Sequence, residues 1–195
     1  TYDIITKNHD YFMASQGLDM TVENVLEKNL DRAKALGIDE SIVAKSIEEI
    51  ASNPNVDIVV EVIGGIEPAK TFVLKALKSG KTVVTSNKEL LAKHWPELEA
   101  VAKKNKAGLF FEATCVGGVP IIRTLIDGMQ ANKIQSIKGI INGTTNYILT
   151  KMSEQGSTYE EALKEAQALG YAEFNPTADV EGFDATYKLS ILSSL

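Results

Sequence analysis

The sequence predicts an α/β chain: a parallel sheet in the first part, then a smaller α+β domain. Three observations carry this expectation. Two β-branched runs, Asp57–Ile63 and Thr82–Thr85, each precede a segment with helical spacing, Pro68–Ser79 and Lys88–Asn105. A third apolar run, Leu109–Ala113, follows, and strand, helix, strand, helix, strand at this spacing describes βαβ units. Beyond it the pattern changes, and Ile134–Ile141 alternates as a half-exposed strand of a mixed or antiparallel sheet does. The change near Ala113 divides the chain into two domains, 1–113 and 114–195.

Taken in order, residues 2–15 carry a weak helical pattern and Met20–Leu26 alternates as a short strand. Leu30–Leu36 and Ser41–Ala51 read as helices, the second with Ser41 as N-cap. Asp57–Ile63 is nearly continuous in β-branched residues, the mark of a strand buried on both faces. Gly64-Gly65 ends it; Pro68 stands near the start of the next helix and Gly80 at its end. Helices follow at Pro120–Met129, Tyr147–Glu154 and Tyr159–Leu169, the last stopped by Gly170. Residues 171–183, broken by Pro176 and Gly182, read as ordered loop. Asp184 opens a final helix whose far end is apolar (Leu189, Ile191, Leu192, Leu195) and therefore expected to be buried.

Composition narrows the function. The 195 residues are 44% hydrophobic and 24% charged, an ordinary globular balance. The net charge is -6 and the 20 basic residues are scattered, which argues against a nucleic-acid surface. No apolar run approaches the roughly 20 residues of a membrane span. A single cysteine, Cys115, leaves no internal disulfide and suits a reducing, cytoplasmic compartment. One Cys and two His make a transition-metal site improbable, and His9 and His94 read as structural or exposed. The chain starts without Met or an opening strand and stops inside an apolar helix, SILSSL, so a fragment of a longer protein is expected.

In a parallel sheet, ligands bind beyond the carboxyl ends of the strands. The stretches to examine are therefore Ile63-Gly64-Gly65, Ser86-Asn87-Lys88 and Thr114–Pro120. Glycines at 64 and 65 let a cofactor approach the backbone closely, although a plain strand-to-helix turn explains them too. Lys88 falls at a helix N-terminus, where a cation is disfavoured unless a polar or anionic ligand meets it. In the last helix Asp184 and Lys188 are four apart and share a face; alone, such a pair is usually a solvated salt bridge.

Four stretches together resemble homoserine dehydrogenase. The most specific is 166–188, through Ala166, Gly170, Tyr171, Ala172, Asn175, Pro176, Asp179, Val180, Gly182, Asp184 and Lys188. Thr85-Ser86-Asn87-Lys88 is similar to the family's T-x-N-K element, and Asn142–Asn146 to its N-G-T-x-N turn. Glu112–Pro120 is similar to a third landmark. The family's fold implies a partial Rossmann-type parallel sheet with a second α+β domain for substrate and dimerisation. The usual G-x-G-x-x-G fingerprint is absent, and its place falls before Thr1.

The resemblance implies interconversion of L-homoserine and L-aspartate 4-semialdehyde with NAD or NADP. It assigns Lys188 as proton donor, Lys88 as second candidate and Asp184 as the group that orients the site. Glu173 and Asp179 would take the substrate's ammonium group, Glu173 foremost, with Tyr171, Gly143 and Thr144 completing the pocket. Lys88, Thr85, Asn87, Gly64 and Gly65 would meet the cofactor. A monovalent cation, typically sodium, would rest on the Glu112 carboxylate and the carbonyls of Cys115, Gly117 and Val119, oxygen donors that suit a hard ion. Cys115 would serve through its carbonyl; its side chain reads as a small buried hydrophobe. The expected partners are a small amino-acid substrate and a second copy of the chain in a homodimer, with neither nucleic acid nor membrane. Two alternatives stay open: another two-domain NAD(P)-dependent oxidoreductase of a small polar substrate, and a non-enzymatic sensor, which would need no lysine-and-acid cluster.

Overall fold

Four short helices precede the sheet: α1 (Tyr2–Lys7), α2 (His9–Gln16), α3 (Leu30–Ala35) and α4 (Ile47–Ser52). The computed structural model describes residues 1–195. The single helix expected over 2–15 is split at Asn8, and neither half buries a residue. Met20–Leu26 is not a strand: only Val25 pairs, as an isolated parallel bridge to Val43. Ser41 is not an N-cap. Asp39 takes that role, accepting the Ser41 N–H at 2.8 Å ahead of a 3₁₀ turn over Glu40–Ile42, and α4 starts only after Ser46.

The βαβ expectation holds. Strands β1 (Ile58–Glu61), β2 (Thr82–Thr85) and β3 (Leu109–Phe110) form one parallel sheet in the order β1-β2-β3. Helix α5 (Ala69–Lys78) links the first pair and α6 (Lys88–Lys104) the second. Both lay an apolar stripe on the sheet: Val73, Ala76 and Leu77 from α5, Leu90, Leu91 and Leu98 from α6, all fully buried around Val83. Each of these valines and leucines contributes about 1.5–3 kcal/mol by leaving water. The other face is different. Ile58 and Val60 are exposed, so the expected burial of β1 on both faces is corrected. Its β-branched run reports strand propensity, but two-faced burial needs a second layer that these residues do not supply.

After β3 the chain makes a 3₁₀ turn at Glu112–Thr114 where strand was expected to continue. Helix α7 (Ile121–Arg123) runs into a π-type turn over Thr124–Gly128. Residues 133–141 then pass without regular structure, and Ile134, Ile137 and Ile140 are exposed. The strand expected at Ile134–Ile141 is therefore corrected. Alternation fits a pleat, but a strand exists only against a ladder partner, and no other segment pairs with this one. Helices α8 (Gly143–Gln155) and α9 (Tyr159–Ala168) pack as a pair over Ile148, Ala162 and Ala166. A short α10 (Thr177–Val180) interrupts the expected loop, and α11 (Phe183–Ser193) closes the chain. Ile191 and Leu192 of α11 are buried in the same core as α6, as expected, whereas Leu189 and Leu195 are half exposed. That docking brings the start of α11 against the start of α6.

Candidate active site

Two lysines meet one carboxylate where α6 and α11 touch. Asn87 caps α6, its side chain accepting the Leu90 N–H at 3.1 Å, and this fixes the helix start at Lys88. Gly182, in the left-handed region at φ 77, turns the chain into α11 and puts Asp184 in its first turn. Lys88 Nζ donates to Asp184 Oδ1 at 2.8 Å, and Lys188 Nζ donates to Asp184 Oδ2 at 2.7 Å. Lys188 also donates to the Ile141 carbonyl at 2.6 Å. The Lys188 side chain is 14% exposed and Lys88 36%, so the first is enclosed and the second stands at the rim. Burial opposes ionisation of Asp184. Hydrogen bonds from Lys188, Lys88 and Asn142, with the charge of Lys88, outweigh it and hold the carboxyl below its usual range.

Asn142 holds this cluster together, a role the sequence did not reveal. Its amide donates to Asp179 Oδ1 at 2.7 Å and to Asp184 Oδ2 at 2.8 Å. Its carbonyl oxygen accepts the Thr145 N–H and hydroxyl, both at 2.8 Å, and so caps α8. Two donors and two lone pairs are all an amide side chain has, and all are used. Asn before a helix does signal an N-cap, but nothing in the spacing shows what its donors face. Thr144 Oγ1 lies 2.6 Å from the Tyr171 carbonyl and 2.8 Å from Asp179 Oδ2. The first-turn amides of Gly143 and Thr144 have no backbone partner. Tyr171 stacks on Tyr147 with ring centroids 4.8 Å apart. Glu173 is exposed and makes no side-chain bond to the cluster. The structure thus joins Lys88, Lys188, Asp184, Asp179 and Thr144, and leaves Glu173 outside.

The strand ends present a second surface. Gly64 and Gly65 have φ of 81° and 69°, which only glycine adopts without strain. Thr85 and Asn87 turn their side chains into the protein: the Thr85 hydroxyl donates to Glu61 at 2.6 Å and the Asn87 amide to the Gly65 carbonyl at 2.6 Å. The Asn87 N–H is taken as well, by Thr85 Oγ1 at 2.9 Å, which leaves main-chain carbonyls and Lys88 for a ligand.

The turn after β3 bears the oxygen donors. Glu112 accepts the N–H groups of Ile122 at 3.0 Å and Arg123 at 2.8 Å, capping α7. Val116 sits at φ 47°, a strained conformation for a β-branched residue, and Gly118 follows at 83°. The Val119 carbonyl accepts the Ile121 N–H at 2.8 Å. A carboxylate offers about four lone-pair sites, so Glu112 keeps capacity for a cation beside its two amides. No three His, Cys, Asp or Glu side chains are grouped to hold a metal ion, so a cation here would rest mainly on main-chain oxygens. Cys115 is fully buried, its Sγ 3.8 Å from the Lys188 carbonyl. Burial pushes its thiol up despite the Thr114 hydroxyl and the two nearby lysines.

The family model for the homoserine dehydrogenase NAD-binding domain matches residues 4–112, and that for homoserine dehydrogenase matches 120–195. The chain is 45% identical to the Bacillus subtilis homoserine dehydrogenase over 192 residues, covering 98% of this chain and 44% of that one. It is 46% identical to the Lactococcus lactis enzyme over 193 residues, with 97% and 45% covered. The chain therefore spans under half the length of these curated relatives. Among solved structures, a homoserine dehydrogenase from Thiobacillus denitrificans matches with TM-score 0.89 and 43% identity, over 98% of this chain and 44% of that one. A hyperthermophilic archaeal homoserine dehydrogenase in complex with NADPH matches with TM-score 0.76 and 31% identity, covering 98% of this chain and 63% of that one. No helix is long and apolar enough to cross a membrane.

Proposed function

The chain belongs to the homoserine dehydrogenase family, and on that premise we propose that it forms the catalytic part of an enzyme interconverting L-aspartate 4-semialdehyde and L-homoserine with NAD or NADP. The reaction serves threonine, methionine and isoleucine biosynthesis. The observation that carries this reading is the shared carboxylate: Lys88 and Lys188 bond opposite oxygens of Asp184 at 2.8 and 2.7 Å. A sensor has no use for such a cluster.

When bound, a nicotinamide dinucleotide supplies the hydride. Reduction of an aldehyde leaves an alkoxide that needs a proton. Lys188 delivers it, oriented by Asp184 on one side and the Ile141 carbonyl on the other. Lys88, nearer solvent, is the second donor candidate and adds positive charge where the alkoxide forms. Asp184 stays ionised and keeps both ammonium groups in place. Asp179, anchored by Asn142, takes the substrate's ammonium group, and Glu173 adds its charge from the exposed loop. The Gly143 and Thr144 amides at the start of α8 meet the substrate carboxylate, as helix N-termini do for anions. Tyr171 closes the pocket. Gly64, Gly65, Thr85 and Asn87 would hold the cofactor, with Lys88 beside it. A sodium ion would be held by the Glu112 carboxylate and the carbonyls of Cys115, Gly117 and Val119; the strain at Val116 supports a turn shaped for a ligand. Residues 114–195 carry the homodimer contact.

The test follows oxidation of NADPH and NADH by the full-length protein that contains this chain. Aspartate 4-semialdehyde is compared with a panel of other small aldehydes, with and without sodium. Selective turnover of the semialdehyde is expected. Equal rates on unrelated aldehydes, or none on the semialdehyde, would overturn the proposal.

A further inference from the structure

Strand β1 ends on a buried carboxylate for which the mechanism above has no use. Glu61 is 4% exposed and lies at the end of an otherwise apolar strand. An ion buried without a cation is costly, and Glu61 makes no salt bridge. All its partners are neutral donors. Oε1 accepts the N–H groups of Ile63 at 2.7 Å and Gly64 at 3.2 Å; Oε2 accepts the Thr85 hydroxyl at 2.6 Å.

The bonds continue from there. Thr85 Oγ1 accepts the Asn87 N–H at 2.9 Å, and the Asn87 amide donates to the Gly65 carbonyl at 2.6 Å. The path Gly64, Glu61, Thr85, Asn87, Gly65 closes on itself. It ties the turn after β1 to the turn after β2 and to the cap of α6, where Lys88 begins. The glycine turn has little else to hold it. A side chain started at Gly64 or Gly65 would meet nothing within 4 Å, so the turn is unpacked on that side.

From this closed ring we infer that Glu61 is a positioning residue. It presets the Gly64–Gly65 turn as the surface that meets the nicotinamide cofactor. Charge suits this role, because one carboxylate accepts three hydrogen bonds at once and a bond to a charged group is stronger than a neutral one. The inference rests on the nicotinamide-dependent reading above.

The experiment uses Glu61→Gln, Glu61→Ala, Thr85→Val and Thr85→Ser in the full-length enzyme. The Kd of reduced cofactor is measured by its fluorescence, independently of turnover, beside KM for each substrate. In Glu61→Ala the cofactor Kd and KM should rise about tenfold or more, as expected for loss of bonds to a charged acceptor. KM for the semialdehyde should stay within about twofold, since its contacts are elsewhere. Glu61→Gln keeps an acceptor for the two amides but turns N–H groups toward Thr85, so its rise should be smaller. Thr85→Ser should restore most of what Thr85→Val loses. Should Glu61→Ala fail to fold, the Gln and Thr85 variants carry the same comparison. Unchanged cofactor Kd and KM in folded Glu61→Gln and Thr85→Val would overturn the inference, as would equal rises for both substrates. Cofactor binding without semialdehyde turnover in the unaltered enzyme would instead sink the proposed reaction and leave the role of Glu61 to be judged by Kd.

Discussion

Helix α11 and the stretch 133–141 carry isoleucines to the same part of the molecule with opposite results. Ile191 of α11 is 1% exposed, whereas Ile140 is 74% exposed. The contrast lies in the backbone. A helix satisfies its own N–H and C=O groups and needs only a surface to lie on, which α6 provides. An extended segment needs a neighbouring strand first, and none of residues 133–141 has a backbone hydrogen-bond partner. Apolar spacing thus predicts burial only where the element can satisfy itself. The polar junction inherits both conditions: Asp184 and Lys188 ride on the packed helix, and Asn142 ends the unpaired stretch.

The contrast can be pressed hardest at Lys188. Lys188→Ala should lower semialdehyde turnover about 10²–10⁴-fold, the range for losing a positioned general acid. Steady-state kinetics of the full-length enzyme checks this, and near-normal turnover would remove Lys188 from the mechanism. Next comes the packing that carries it. Ile191→Ala should cost about 2–5 kcal/mol in denaturant unfolding, because it leaves a cavity in the α6–α11 contact.

A smaller effect concerns pH. The folded Asp184 carboxyl lies below its ordinary value of 3.8. Its stabilising contribution is therefore complete above that value and is lost as pH falls through the lower folded value. In Asp184→Asn that part of the acid-side loss of stability should be missing from unfolding midpoints measured against pH. An acid limb unchanged by the substitution would contradict the assignment. The smallest effect belongs to the exposed stretch. Ile140→Ser should shift the stability of this chain by no more than about 0.5 kcal/mol, as surface changes do. A loss comparable to that of Ile191→Ala would show that residues 133–141 are packed after all.

The sheet was legible because βαβ spacing is local: β-branched runs, glycine stops and helical stripes each report their own backbone. What surrounds an element is not local. The run at 57–63 gave β1 but not its open face, and the alternation at 134–141 pointed to a strand that has no partner. The same limit governs the site. Lys88, Asp184 and Lys188 stood out through a family resemblance; spacing alone made the last two an ordinary helical pair. Asn142 looked like part of a turn and Glu61 like one polar position in a strand. Their importance lies in what they bond across 37 residues, from Asn142 to Asp179, and 24 residues, from Glu61 to Thr85. Sequence pattern carries no record of such distances.

Lys188 takes its second anchor from the Ile141 carbonyl, at the edge of the stretch that no sheet restrains. In the proposed reaction, any shift of that carbonyl would move the group assigned to deliver the proton. On that reading, a substitution many residues away would alter the rate of chemistry without touching any group that contacts substrate, through one tether alone.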